Sequence, residues 1–338
     1  MTTTDTQPAG DRAGMSEPGN GVRYASDAVT IIATDEMAWE PFAGRLGAHV
    51  KTLTRFADGE PELYLLWFPP GPLRAIRHGK NYRHYHKSVR EYMYFLSGGP
   101  FPHWDYDSAE QVDGHLINFR ADYYMDRRPG SMHGVEIGPF SHVGMLGLNW
   151  RSGTGNYVDE PNFHDESIEI DYPPGPGVAG GPWAAPGDEA GTVYRRDDVV
   201  IRDVRMMDWE PLESVPGAQL KALSRFASGE PEVMIVSFPA ASVAYGAPHR
   251  HHHRSVREWM FVLDGELVQT EYPDGPGRPG RTIALRRGGF VERLPGPGGW
   301  HGAEGEPLAT TDATVLIWRT GPGTLPGEAG YDTEMVSA

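Results

Sequence analysis

Cysteine is missing altogether from the 338 residues, which excludes disulfide staples and thiolate metal ligands. Basic residues are in the minority, 30 Lys and Arg against 46 Asp and Glu, for a formal net charge of −16 at pH 7. That balance disfavours nucleic acid and anionic membrane as partners. No apolar run approaches the roughly 20 residues of a membrane-spanning helix. Residues 1–21 are polar and lack the hydrophobic segment of a secretory signal, so a disordered tail and a cytoplasmic protein are the expectations. Sustained 3.6-residue periodicity is missing too. What abounds is Gly, 43, and Pro, 30, the punctuation of short strands joined by turns.

Strand-like runs, rich in β-branched and aromatic residues and bounded by Gly, Pro, Asp and Ser, fall at 28–33, 49–56, 62–68, 91–97, 115–124 and 142–150. A second series falls at 199–204, 219–226, 232–238, 258–263, 266–272, 281–285 and 314–319. The two series are copies. Trp39-Glu40-Pro41 recurs 170 residues later as Trp209-Glu210-Pro211, and Arg55-Phe56-Ala57 as Arg225-Phe226-Ala227. Ser88-Val89-Arg90-Glu91 matches Ser255-Val256-Arg257-Glu258, and Trp150-Arg151 matches Trp318-Arg319. A repeat this long is a whole domain rather than a solenoid unit. The expected organisation is a tail at 1–23, a first barrel at 24–165, a Pro/Gly-rich linker at 166–195, a second barrel at 196–322 and a tail at 323–338.

The chemistry-bearing residues are duplicated with the domain. His84-Tyr85-His86 is followed by Glu91, Pro129-Gly130 and His133. His251-His252-His253 is followed by Glu258, Pro297-Gly298 and His301. On a strand the two outer histidines of HxH share one face. Met93 and Phe95, or Met260 and Val262, follow each Glu on that face. Three imidazoles and a carboxylate suit a divalent first-row metal and leave coordination positions open for substrate, water or O2. A lone HxH or a lone PGxxH is incidental in most sequences; the ordered set, twice, is not. His249 and His252 read equally well as solvent-facing.

The same motifs resemble the cupin superfamily, specifically the two-domain bicupins. HxHxxxxE with a following Gly98 or Gly265 resembles the first cupin motif, and PGxxH with Gly130 or Gly298 resembles the second. The leading Gly of the first motif stands one place late (Gly79, Gly246), and the Asn of the second is replaced by Ile137 and Gly305. The resemblance covers about residues 24–322. It implies an all-β fold of two tandem jelly-roll barrels with one divalent metal in each, Fe(II) first, then Mn(II), Ni(II) or Zn(II). The superfamily's activities include dioxygenases acting on flavonols or diketones, oxalate oxidases and decarboxylases, sugar isomerases and polyketide cyclases, beside storage and binding proteins. Gentisate-type bicupins usually lack the Glu that both copies keep here.

Three functions follow as expectations: an oxidoreductase of dioxygenase type on a small enolic, phenolic or diketone-like substrate; a lyase, decarboxylase, isomerase or cyclase; and a non-catalytic binding protein. The partner expected is a small molecule, and a homo-oligomer is left open. Barrel one is the expected catalytic copy. Tyr82, Tyr85, Tyr92, Tyr94, Trp104, Tyr106, Tyr123 and Tyr124 crowd its motif, although strand packing accounts for most such aromatics. Trp67 stands where barrel two has Ser237, and the segment 97–114 is long enough to close over a ligand. For an acidic substrate, Arg74, Arg77, Arg120 and Arg287 are the candidate cations.

Overall fold

The computed structural model describes residues 20–42, 48–72, 81–86, 89–107, 111, 114–135, 140–141, 143–154, 166–170, 190–242, 249–303, 308–322 and 333–337. The repeat folds as two barrels, each a long antiparallel sheet faced by a shorter one. In barrel one the eight-stranded sheet runs Thr192–Arg196, Val199–Asp203, Tyr123–Arg127, Glu91–Gly98, Met145–Arg151, Pro61–Phe68, His49–Arg55 and Glu40–Pro41. Its five-stranded sheet runs His115–Phe119, Phe101–Tyr106, Met132–Val135, Asn81–Tyr85 and Glu166–Ile170. Barrel two repeats the order: Val22–Ala25, Val29–Ala33, Gly289–Arg293, Glu258–Asp264, Ala313–Arg319, Pro231–Phe238, Gln219–Arg225 and Glu210–Pro211. Facing them are Arg281–Arg286, Glu266–Glu271, His301–Ala303, His249–His253 and Thr333–Ser337.

The sheets do not respect the boundaries drawn at 24–165 and 196–322. The N-terminal hairpin crosses over: Val29–Ala33 pairs with Gly289–Arg293 of barrel two. The hairpin after the linker crosses back, Val199–Asp203 pairing with Tyr123–Arg127 of barrel one. Each barrel thus borrows its edge hairpin from the other half of the chain. Strand patterning states which face is apolar but not which sheet edge accepts it. The expected loose tails also hold structure: Val22–Ala25 and Thr333–Ser337 are strands, and Thr333–Ser337 pairs with the histidine strand of barrel two. The expected run at 115–124 is two strands, because Asp122 turns the chain with φ 64°.

Alternation divides each long strand between two cores. Tyr64, Leu66 and Phe68 face the interior of barrel one with Met93, Phe95, Phe101 and Phe119. Leu63 and Leu65 face the other way, joining Tyr92, Tyr94, Tyr124 and Leu148 against Val233, Ile235, Trp259, Phe261, Leu316 and Trp318. The long sheets pack back to back, buried on both faces, which is why their strands read as continuous apolar and aromatic runs such as 63–68 and 92–96. At the seam Trp150 lies 6.0 Å from Trp259. Polar contacts at the seam are reciprocal. Arg90 binds Asp126 and reaches across to Glu232 at 2.9 Å; its copy Arg257 binds Glu292 and reaches across to Glu62 at 2.7 Å. Contacts that exchange in this way are those of an isologous interface, built here within one chain.

The glycine after each motif carboxylate is a steric necessity. Gly98 and Gly265 have φ of 88° and 75°. A Cβ there would stand 2.2 Å from the Gly144 carbonyl and 2.0 Å from that of Asp312, so no side chain fits.

Candidate metal centres

Each site forms where the histidine strand, the carboxylate strand and the strand after the PG turn converge. In barrel one the donor atoms of His86, Glu91 and His133, all buried, lie within 4.8 Å of one another. His84 pairs directly with His133 across the ladder; its side chain lies outside the described residues. In barrel two the donors of His251, His253 and His301 lie within 4.8 Å of one another. Ligands held about 2.1 Å from one ion stand at most about 4.2 Å apart, so small rotations close either cluster. Glu258 is buried beside the second cluster but not within it; its Oε1 lies 3.5 Å from Nη1 of Arg293.

The imidazoles are poised as neutral ligands. His133 Nδ1 lies 2.8 Å from the Ser131 carbonyl, and His301 Nδ1 lies 2.8 Å from that of Gly299. A carbonyl only accepts, so Nδ1 carries the proton and Nε2 keeps its lone pair for a metal. Burial, followed by Arg293, His251 and His253, holds His301 well below the usual imidazole value, which keeps it neutral. In barrel one the Glu91 carboxylate accepts from Asn149 Nδ2 at 3.1 Å. The donor sets fit a divalent metal in both barrels, with nitrogen and oxygen ligands buried, oriented and able to bind without losing a proton.

Around each cluster stands a polar unit that motif reading missed. Arg127, opposite Glu91 in the ladder, donates from Nε and Nη2 to Asp105 at 3.1 and 2.8 Å. The same Nη2 lies 3.3 Å from Nδ1 of His103. In barrel two Arg293, opposite Glu258, donates to Glu271 at 2.5 Å and to Gln269 at 2.9 Å. These are copies: His103, Asp105 and Arg127 recur as Gln269, Glu271 and Arg293, each 166 residues on. The signal was present as an acid-Arg pair two residues before Pro-Gly in both halves, Asp126-Arg127 and Glu292-Arg293.

That alignment also corrects the second turn. Gly130, φ 88°, donates its N–H to the His86 carbonyl at 2.8 Å. Its counterpart is Gly296, φ 106°, which donates to the His253 carbonyl at 2.7 Å. Pro297–Gly299 is a 3-10 turn inserted before His301, so Pro297-Gly298 is not the equivalent of Pro129-Gly130.

Several expected neighbours of site one are elsewhere. Tyr92, Tyr94 and Tyr124 belong to the seam between barrels. Trp67 lies on the outward face, 6.3 Å from Trp39 and 5.5 Å from His49. Of the segment 97–114 expected to close over a ligand, the described part supplies strand Phe101–Tyr106, with Trp104 and Tyr106 in a small cluster beside Tyr85, and residues 108–110 and 112–113 lie outside the described residues. Tyr123 does reach the interior. The side chain of Tyr82, like Arg74 and Arg77, lies outside the described residues. Arg120 is 54 % exposed and pairs with Asp203, and Arg287 is exposed. His252 is buried edge-on against Trp300, 4.5 Å between ring centres, rather than solvent-facing. The side chain of His249 lies outside the described residues.

No protein-family profile matches the chain, and no curated protein matches it by sequence. Solved structures do. The protein Ylba from E. coli is similar over 87% of this chain and 94% of its own, with TM-score 0.50 and 11% identity. The oxalate decarboxylase from Bacillus subtilis aligns over 89% of this chain and 78% of its own, with TM-score 0.47 and 13% identity. The oxalate decarboxylase of Lactobacillus farciminis, solved with formate, aligns over 87% and 86%, with TM-score 0.48 and 12% identity. Likeness at such identities concerns the fold alone. Among the described residues no helix is long and apolar enough to cross a membrane.

Proposed function

We propose that this chain, which has the two-barrel fold of the bicupins and the donor sets of a divalent-metal protein, is an oxidoreductase of dioxygenase type. Barrel one is its catalytic copy, and the substrate is a small enolic, phenolic or diketone-like molecule. The supporting observation is the aromatic wall that leads to site one. Phe95 stacks on Phe119 at 4.4 Å, Phe119 lies 5.9 Å from His103, and His103 lies 5.6 Å from His133. A flat, conjugated substrate suits such a wall. A dicarboxylate would need a cation to spare, and Arg127 is already held bidentate by Asp105.

His84, His86, Glu91 and His133 would hold the ion in barrel one, and His251, His253, Glu258 and His301 in barrel two. Fe(II) is the first choice, then Mn(II), Ni(II) or Zn(II), from the nitrogen and oxygen donor set. Such an ion would supply a Lewis acid with open positions and, where redox-active, a path for electrons from the substrate to O2. The chain supplies the rest. Ser131 and Asn149 fix the orientation of His133 and Glu91. Phe95, Phe101 and Phe119 keep water from the interior face of the substrate.

The test is metal analysis with oxygen-uptake measurement over a panel of enols, catechols, diketones and dicarboxylates. Oxygen consumption with one of the first three supports the reading. CO2 release or isomerisation without uptake would assign a lyase or isomerase instead. Retained metal with no turnover of any compound would leave a binding protein.

A further inference from the structure

The two buried arginines meet their acids differently. Arg127 meets Asp105 side-on, through Nε and Nη2. Glu271 is one methylene longer than Asp105, and Arg293 meets it end-on, through Nη2 at 2.5 Å. Gln269 Oε1 accepts from the same nitrogen at 2.9 Å. Nε of Arg293 and Oε2 of Glu271 are buried with no hydrogen-bond partner among the described residues. This contact turns Nη1 toward strand Glu258–Asp264, where it lies 3.5 Å from Glu258 Oε1 and 3.9 Å from Met260 Sδ. Glu258 and Met260 share one face of that strand, and Met260 belongs to the core of barrel two. The guanidinium therefore stands inside the barrel, against a metal-ligand candidate.

Glu258 is thus a contested ligand. The side chains of Arg293 and Glu258 are 2% and 10% exposed, so water and salt screen their attraction little. An ion that draws Glu258 into its coordination shell must weaken that pair. The imidazoles carry no such cost: the donors of His251, His253 and His301 gather within 4.8 Å of one another without Glu258. The cost therefore falls on ions according to their chemistry. Mn(II) is suited by carboxylate oxygen, whereas Zn(II), Ni(II) and Fe(II) are suited by imidazole. Zn(II) in particular is satisfied by three protein ligands and a water.

We propose that Arg293 determines metal selectivity in barrel two. By pairing with Glu258 it lowers the affinity for Mn(II) and leaves three imidazoles to ions of the Zn(II) kind. Arg293 acts through Glu258 and is a positioning residue. Glu271 and Gln269, on the facing sheet, hold it in that place. The role rests on the donor set given to barrel two above and not on the reaction assigned to barrel one.

The experiment measures binding of Mn(II), by the resonance signal of the free ion, and of Zn(II), by competition with a chromophoric chelator. Full-length protein carrying His86→Ala and His133→Ala confines the reading to barrel two. Into it are placed Arg293→Gln with Glu271→Gln, a pair that removes both charges and leaves the net charge unchanged. Mn(II) affinity is expected to rise about tenfold or more, the scale on which partners of a ligand act, and Zn(II) affinity to stay within about threefold. Adding Glu258→Gln is expected to abolish the Mn(II) gain, since the coupling runs through that carboxylate. Unchanged or weakened Mn(II) binding, an equal gain for Zn(II), or a gain that survives Glu258→Gln would each overturn the proposal while the metal site stands. Binding of neither ion, with or without the arginine, would overturn the proposal and the donor set together. Melting temperature is read on every variant. Should the Gln pair fail to fold, Arg293→Met with Glu271→Leu, an apolar replacement of the kind buried ion pairs tolerate, gives the same comparison.

Discussion

The two barrels place the same motif carboxylate beside different partners. Glu91 accepts from a neutral amide, Asn149. In barrel two that ladder position is Ile317, and Glu258 faces the guanidinium of Arg293 at 3.5 Å. An amide orients a carboxylate without bringing charge to it; an arginine brings a positive charge. Ligand spacing is therefore shared while the electrostatics of the two sites are not, and it is the partners around the ligands that set them apart.

The largest expected effect breaks the comparison at the carboxylates. Glu91→Gln removes the negative ligand while keeping its shape and is expected to cost about a hundredfold or more in metal affinity and turnover, at or beyond the loss typical of outer-shell partners. Glu258→Gln is expected to change turnover little and to act on metal content or stability. Metal analysis and oxygen uptake on both variants check this, and the reverse outcome would make barrel two the catalytic copy. Next in size is the seam. Arg257→Ala removes the cation that Glu62 and Glu292 share, and their side chains are 7% and 3% exposed. A cost of about 3–5 kcal/mol in urea unfolding is expected. Arg90→Ala is expected to cost less, because Glu232 is 13% exposed.

A third pair tests the crossed hairpins. Ile31 and Ile201 are copies 170 residues apart, both 0% exposed. Ile31 packs in the core of barrel two and Ile201 in that of barrel one. Each change to Ala is expected to cost about 2–5 kcal/mol. Hydrogen exchange is expected to show the loss of protection in the barrel opposite to the half of the chain that was changed. Loss confined to the same half would contradict the strand exchange.

The smallest effect concerns pH. Burial, the largest cause, outweighs Arg257 and raises the Glu62 carboxyl above its ordinary 4.5. The folded state then binds this proton more tightly than the unfolded one, so the contribution of Glu62 to stability is greatest at low pH. It falls as pH rises from about 4.5 through the raised value. Glu62→Gln is expected to remove that fall, seen as wild-type stability dropping relative to the variant across this range in parallel urea titrations.

Much of this is legible in the sequence. The β-rich class follows from strand patterning and turn residues. The duplication follows from Trp39-Glu40-Pro41 and its kin. The donors of both clusters follow from HxHxxxxE and the later histidine, because strand alternation and ladder pairing bring such positions to one interior face. Met93 and Phe95 were placed inward by the same parity, and they are there. The aromatics were harder, since Tyr92 and Tyr94 belong to a strand buried on both faces, where alternation chooses between two apolar environments rather than between core and water.

What the chain could not declare by itself is which non-local partners each local feature would find. The owner of each edge hairpin is decided by sheet edges that look alike in sequence. The side chain that neighbours each motif carboxylate, Asn149 or Arg293, comes from 58 and 35 residues away along the chain. Period and spacing act within a few residues of one strand and are written along the chain. Pairing, burial and compensation of charge act through space, and they exist only once the strands have met.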